Sequence, residues 1–386
     1  MARSFVPYKF SFRKDNIMFD MDNEYDALSI LNVGGQGYII SGYDTRNQRY
    51  VAIKKMKEIN DPDSVKRIYR EFIISKTINH KNLVTLLDAF TPNGKNVYFV
   101  YEYMDYSMRA LFHSSLSDPK HIKNMVWDQN NGDYFTADIL FQLFCGLRYL
   151  HQDRLKFIHR DIKPENILLK ELPTGRFLLK ICDLGLSRHL KEDEKDVTEY
   201  VVTWPYRAPE VMINDSYSFP IDIWSVGCIL AEMITGDILF KRLSRRNQIF
   251  RILSLVGFPE GTVFPEFFQS EINKIPGSYG PNRIHELFTD DQLPTWTQQR
   301  ITKQFIRDLL KNLLEFDPSM RLTAEQLSEL SQLDFLEDRS GINDIAPMFY
   351  DPVNESKSHT VSEWRQLIKK ELNDYEIKRF QNPNVC

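Results

Sequence analysis

The chain has little cysteine: four in 386 residues, Cys145, Cys182, Cys228 and Cys386. None has metal-ligand spacing or a tight partner, and the first three lie in otherwise apolar segments. That argues against a zinc module or a disulfide scaffold and for free thiols in a reducing compartment. No apolar run reaches the ~18 residues of a membrane span. Ala2 stands where myristoylation requires glycine, and Cys386 is terminal rather than inside a C-a-a-X box. A soluble, cytoplasmic or nuclear protein is expected. A net charge of −4 leaves no electrostatic footprint for nucleic acid, and the basic stretch Lys241-Arg242 to Arg245-Arg246 reads as a solvated face. No G-x-x-x-x-G-K-[ST] string occurs, which removes the P-loop NTPases. No internal repeat is visible.

What is present is an ordinary globular composition, 42% hydrophobic and 26% charged, in a chain longer than one core usually serves. Residues 1–24 lack clear periodicity and read as a loosely attached arm. From Leu28 to Tyr101 the pattern is β-rich, with one helical stretch from about Ser64 to Ile78. The run Val97 to Tyr101 suggests a strand buried on both faces. Thr136 to His151 places Leu140, Leu143, Phe144, Leu147 and Leu150 on one helical face, with Thr136 as N-cap. Ile167–Lys170 and Phe177–Cys182 form a hairpin around Pro173 and Gly175. Ile221 to Thr235 is apolar nearly all round, so it is an interior helix ended by Gly236. His113 to Asp133 and Glu260 to Thr297 read as surface insertions of loops or small helices.

Several strings carry chemistry. Val51-Ala52-Ile53-Lys54 ends a strand, and Arg70-Glu71 lies on the following helix. His159-Arg160-Asp161-Ile162-Lys163-Pro164-Glu165-Asn166 precedes Asp183-Leu184-Gly185, and Thr198-Glu199-Tyr200 lies between that and Ala208-Pro209-Glu210. In this order and spacing they resemble the protein kinases. Thr198-Glu199-Tyr200 resembles the switch of the mitogen-activated protein (MAP) kinase family, extracellular-signal-regulated branch. The resemblance covers about residues 25 to 378. It implies an α+β, two-lobed fold: a kinase domain over 25–339, with a β-rich lobe over about 25–104 and a helical lobe over 105–339. Residues 340–386 form a C-terminal extension.

The same resemblance implies phosphoryl transfer from ATP with Mg2+, chemistry that depends on positioning and charge neutralisation. Lys54 would reach the α- and β-phosphates and pair with Glu71. Asp161 would be the catalytic base, and Lys163 a point charge beside the transferring phosphate. Asn166 and Asp183 would be hard oxygen ligands for Mg2+. His159 reads as a packed structural residue. Lys163 two residues after Asp161 resembles the Ser/Thr kinases. The nucleotide site would comprise Leu31, Asn32, Gly34, Gly37, Ile39, Ala52, Lys54, Tyr101, Glu102 and Met104. Asn32 replaces the first glycine of G-x-G-x-x-G, and it tolerates positive φ better than most residues. Tyr101 falls at the gatekeeper position and would narrow the space behind adenine.

For the switch, phosphorylated Thr198 would gather Arg67 or Arg70, Arg160 and Arg188, and phosphorylated Tyr200 would gather Arg207. Trp204 and Pro205 depart from the family's Arg-Trp, while specificity for Ser/Thr-Pro is implied. Glu210 with Arg321 resembles a buried structural ion pair. Tyr350 to Glu355, then a helix with Trp364, Leu367, Ile368 and Leu372, resembles the family's extension, packed along the back of the small lobe. Asp351 and Glu355 would dock basic motifs; Asn354 replaces an expected acid. The implied partners are an upstream dual-specificity MAP kinase kinase, and substrates and phosphatases with basic docking motifs, around a monomer. Two other readings stay open: a scaffold without turnover, and a cyclin-dependent-like kinase.

Overall fold

The computed structural model describes residues 3–12, 15–34, 37–57, 61–94, 96–115, 117–190, 204–214, 218–241, 245–258, 283–297, 299–347, 349–355 and 357–381. Strands β1 (Phe5–Phe12) and β2 (Asp15–Asp22) form an antiparallel hairpin. Next come β3 (Tyr25–Val33), β4 (Gly37–Asp44), β5 (Arg49–Met56), helix α1 (Pro62–Thr77), β6 (Leu86–Phe90) and β7 (Tyr98–Glu102). The strands after the hairpin make one antiparallel sheet in the order β3-β4-β5-β7-β6. Helix α1 starts where the Asp61 carboxylate accepts the Ser64 N–H at 2.9 Å, with Pro62 in the first turn.

Both faces of this sheet are covered, which explains the unbroken apolar run in β7. Tyr98 and Val100 point to one side and join Ile17, Phe19 and Met21 of β2. Phe99 points to the other and stacks on Phe72 of α1, ring centroids 5.7 Å apart. On that side Trp364, Ile368 and Leu372 of the helix Val361–Gln381 complete the layer. Residues 3–24 are therefore not the loose arm their irregular pattern suggested. Full burial of a large apolar side chain is worth about 1.5–3 kcal/mol, and Ile17, Phe19 and Met21 are all buried. Arg3 fastens the hairpin further. Its guanidinium donates at 2.9 Å to Asp22, to Asp88 of β6 and to Glu376 of the C-terminal helix.

The larger lobe is built on two helices, Gly132–His151 and Pro220–Thr235. The second ends at Gly236, whose φ of 77° closes the helix in the left-handed region. The first begins four residues before Thr136, so Thr136 is not its N-cap; its hydroxyl donates to the Gly132 carbonyl at 2.7 Å. The start is set by tertiary contact, because a Cβ on Gly132 would lie 2.2 Å from the Val126 carbonyl oxygen. Val126 belongs to the helix Ile122–Trp127, and with Ile122 it is buried in the main core. The segment 113–133 is thus partly interior rather than a surface excursion. Of 260–297 only 283–297 is described. There Trp296 is buried and donates to the Val126 carbonyl at 2.9 Å.

Candidate active site

The site lies where the small lobe meets the large one. Lys54 lies near the end of strand β5 on the face toward α1, and its Nζ donates to Glu71 Oε1 at 2.6 Å and to Asp183 Oδ1 at 3.0 Å. A cation between two carboxylates in a buried setting is held by mutual neutralisation. Burial opposes the charge on Lys54, but Asp183 and Glu71 outweigh it and raise its pKa. Burial would likewise lift Asp183, and Lys54 reverses that, holding the carboxyl below the usual range. Asp183 has a φ of 64° and is left-handed, a strained backbone for a residue with a Cβ.

The second half comes from the loop after Phe157–Ile158. Asp222, on the interior helix, accepts the backbone N–H groups of His159 at 2.8 Å and Arg160 at 2.9 Å. His159 Nδ1 accepts the Asp161 N–H at 3.3 Å, so its Nε2 carries the proton donated to the Cys182 carbonyl at 3.0 Å. His159 is therefore a strut, as its packed reading required. Asp161 Oδ2 receives Lys163 Nζ at 2.6 Å and Asn166 Nδ2 at 2.9 Å. Burial raises the pKa of Asp161, against the pull of Lys163. Asp222 escaped the sequence reading. A carboxylate in the first turn of a largely apolar, buried helix is the signal that marks it, since buried charges require partners.

Residues 25–332 match the family described as "Protein kinase domain". The chain belongs to the protein kinase family. It is similar to the "Stress-activated protein kinase JNK" of Drosophila melanogaster, 34% identical over 379 residues, spanning 94% of this chain and 95% of the relative. A second "Stress-activated protein kinase JNK", from Suberites domuncula, is 33% identical over 375 residues, spanning 95% and 98%. The protein is a serine/threonine kinase of the MAP kinase group, and kinases of this type use ATP and Mg2+. Both relatives are stress-activated kinases, so the extracellular-signal-regulated branch suggested by Glu199 has no support from them.

Asn32 lies in β3 opposite Ile39 and is not among the positive-φ residues, so its tolerance of that conformation is not called on. Gly37 serves the sheet: a Cβ there would sit 2.5 Å from the Lys55 carbonyl oxygen. A Cβ on Gly34 would meet only the Gly37 carbonyl oxygen, at 3.9 Å. Leu31 is exposed, Ile39 and Ala52 are half-buried, and Met104 is buried. Glu102 turns its Oε1 to the Thr85 N–H and Lys180 Nζ, both at 2.8 Å, and its own N–H donates to the Thr85 carbonyl at 3.2 Å. The Asp183 carboxylate and the amide oxygen of Asn166 are the hard donors the fold offers a small divalent cation. Among the described residues no cluster of three or more acidic, His or Cys side chains could hold a metal alone. Mg2+ in nucleotide sites is commonly held by one or two protein oxygens plus phosphates, so this sparse donor set fits.

Two readings from the tail change. Arg70, expected to meet a phosphate, and Glu355, expected to be a docking acid, hold each other through Arg70 Nε and Glu355 Oε2. Arg70 is buried and Glu355 is only slightly exposed, and the Tyr350 hydroxyl donates to the other Glu355 oxygen. Asn354, which replaces an expected acid, donates to the Tyr69 hydroxyl at 3.0 Å. Asp351 stays exposed, capping the Val353 N–H at 2.9 Å. Arg188 pairs with Ile158 in a short ladder, which puts it beside the Arg160 loop. Arg67 and Arg207 are half-buried. Thr198, Tyr200 and the side chain of Trp204 lie outside the described residues.

Proposed function

We propose that this kinase phosphorylates Ser/Thr-Pro sites on proteins, and that dual phosphorylation of Thr198 and Tyr200 by an upstream dual-specificity kinase activates it. The observation that carries the catalytic reading is Lys54 bridging Glu71 and Asp183 beside an Asp161 carboxylate held by Lys163 and Asn166. Bound Mg-ATP supplies the transferable phosphoryl group and disperses its charge. Lys54, fixed by Glu71, would hold the nucleotide's phosphates. Asp183 and Asn166 would hold the cation. Asp161 takes the proton of the substrate hydroxyl through Oδ1, since Oδ2 already receives two hydrogen bonds. Lys163 then steadies the charge that develops between nucleophile and phosphate.

Asp351 supports docking of basic motifs on substrates, activators and phosphatases, as a single exposed carboxylate. One exposed ion pair is worth about 0.2–1 kcal/mol, so docking is weak. Cytoplasm or nucleus is the expected place of action. The test is phosphate transfer from Mg-ATP to a matched Ser-Pro and Ser-Ala peptide pair, on unphosphorylated and doubly phosphorylated protein. Strong Ser-Pro preference appearing only after phosphorylation is expected. Equal rates on the two peptides would remove proline direction, and full activity without phosphate would remove the switch.

A further inference from the structure

Glu71 is held in an unusual way. Its Oε1 accepts both Lys54 Nζ at 2.6 Å and the Tyr101 hydroxyl at 3.1 Å. Its Oε2 is buried and has no hydrogen-bond partner among the described residues. The orientation of this carboxylate therefore depends on one oxygen and two donors. Tyr101 reaches it from β7, opposite Ala52 in the ladder with β5, and its hydroxyl also lies 3.4 Å from Ser75 Oγ, one helical turn beyond Glu71. The ring cannot swing freely. It packs edge-on against Phe99 at 6.3 Å between centroids, and Phe99 in turn stacks on Phe72 of α1. A rigid phenol thus spans from sheet to helix at the residue that holds Lys54.

We infer that Tyr101 is a positioning residue for phosphoryl transfer, its hydroxyl locking the Glu71 carboxylate in the orientation that fixes Lys54. Without that hydroxyl Glu71 keeps a single contact, and the carboxylate can rotate about its terminal torsion, which is broad for an sp2 group. Tyr101 then has a second role beside narrowing the pocket: it ties β7 to α1 through a charge-assisted hydrogen bond. This inference rests on the proposed role of Lys54 and Glu71.

The test is a double-mutant cycle with Tyr101→Phe and Glu71→Ala, assayed on the doubly phosphorylated kinase with the Ser-Pro peptide. Tyr101→Phe keeps the ring and removes one oxygen, so pocket volume is unchanged. Its kcat should fall about three- to tenfold with the KM for ATP shifted less than about twofold, because adenine contacts are untouched. On the Glu71→Ala background the same change should cost nothing further. Tyr101→Met, another apolar filler, should match Tyr101→Phe in kcat, and both should fold with only the small drop in unfolding midpoint that one lost hydrogen bond brings. An unaltered kcat in Tyr101→Phe, or an equal loss with and without Glu71, would overturn the inference. Lys54→Met separates the levels: if it loses activity while Tyr101→Phe does not, only the role of Tyr101 falls. If Lys54→Met retains activity, both fall.

Discussion

Asp161→Asn is expected to fold like the parent and to lose about 10²–10⁴ of kcat, the usual worth of a positioned general base. The amide is isosteric, and its oxygen can still accept from Lys163 and Asn166, which now reach Oδ2 at 2.6 and 2.9 Å. The loop is anchored elsewhere, by the Asp222 carboxylate on the His159 and Arg160 amides. What disappears is the acceptor for the substrate proton. The KM for ATP should therefore hardly move. Steady-state kinetics with the Ser-Pro peptide on doubly phosphorylated protein would check this. A loss smaller than about tenfold would take the base role from Asp161.

Arg321→Ala is the substitution with the largest expected cost in stability, about 3–5 kcal/mol, the usual cost of breaking a buried ion pair from one side. Arg321 is fully buried and forms a two-point contact with Glu210, Nη1 to Oε1 at 2.6 Å and Nη2 to Oε2 at 2.9 Å. It also donates to the carbonyls of Glu315, Pro220 and Phe316, and its guanidinium lies 5.0 Å over the Trp224 ring. Truncation leaves a nearly buried carboxylate and three carbonyls without their donor. Replacing both members by apolar residues, Glu210→Met with Arg321→Leu, should recover part of the loss, because no unpaired charge then stays inside. Urea unfolding followed by tryptophan fluorescence would measure both. An Arg321→Ala protein with an unchanged midpoint would mean that the pair contributes nothing to the large lobe.

Much of the site could be read from the sequence because each member carries a local signal. Lys54 ends an apolar strand, Glu71 follows on the next helix, and Asp161, Asn166 and Asp183 sit in short strings around a strand pair; the fold brings these into contact. Other features could not be read this way. The hairpin of residues 5–22 looked irregular because its partners, Tyr98 and Val100, lie about 80 residues away. Thr136 looked like a cap because Ser and Thr favour that position, yet the close approach of Val126 to Gly132 sets the true start. Glu355 looked like a docking acid, and a distant arginine on α1 turned it inward.

The sequence by itself determined the order of the main elements from residue 25 onward and the residue types available for phosphoryl transfer, and its motifs carried the resemblance that implied the class. Those depend on periodicity, turn chemistry and motif spacing, which are properties of neighbours along the chain. Only the tertiary structure decided where other charged groups find their partners: Arg70 with Glu355, Glu71 with Tyr101 as well as Lys54, Asp222 with the loop amides. The physical reason is desolvation. A buried charge must be satisfied by whatever polar group the packing brings within hydrogen-bond reach, and for these residues that group lies far away in the chain.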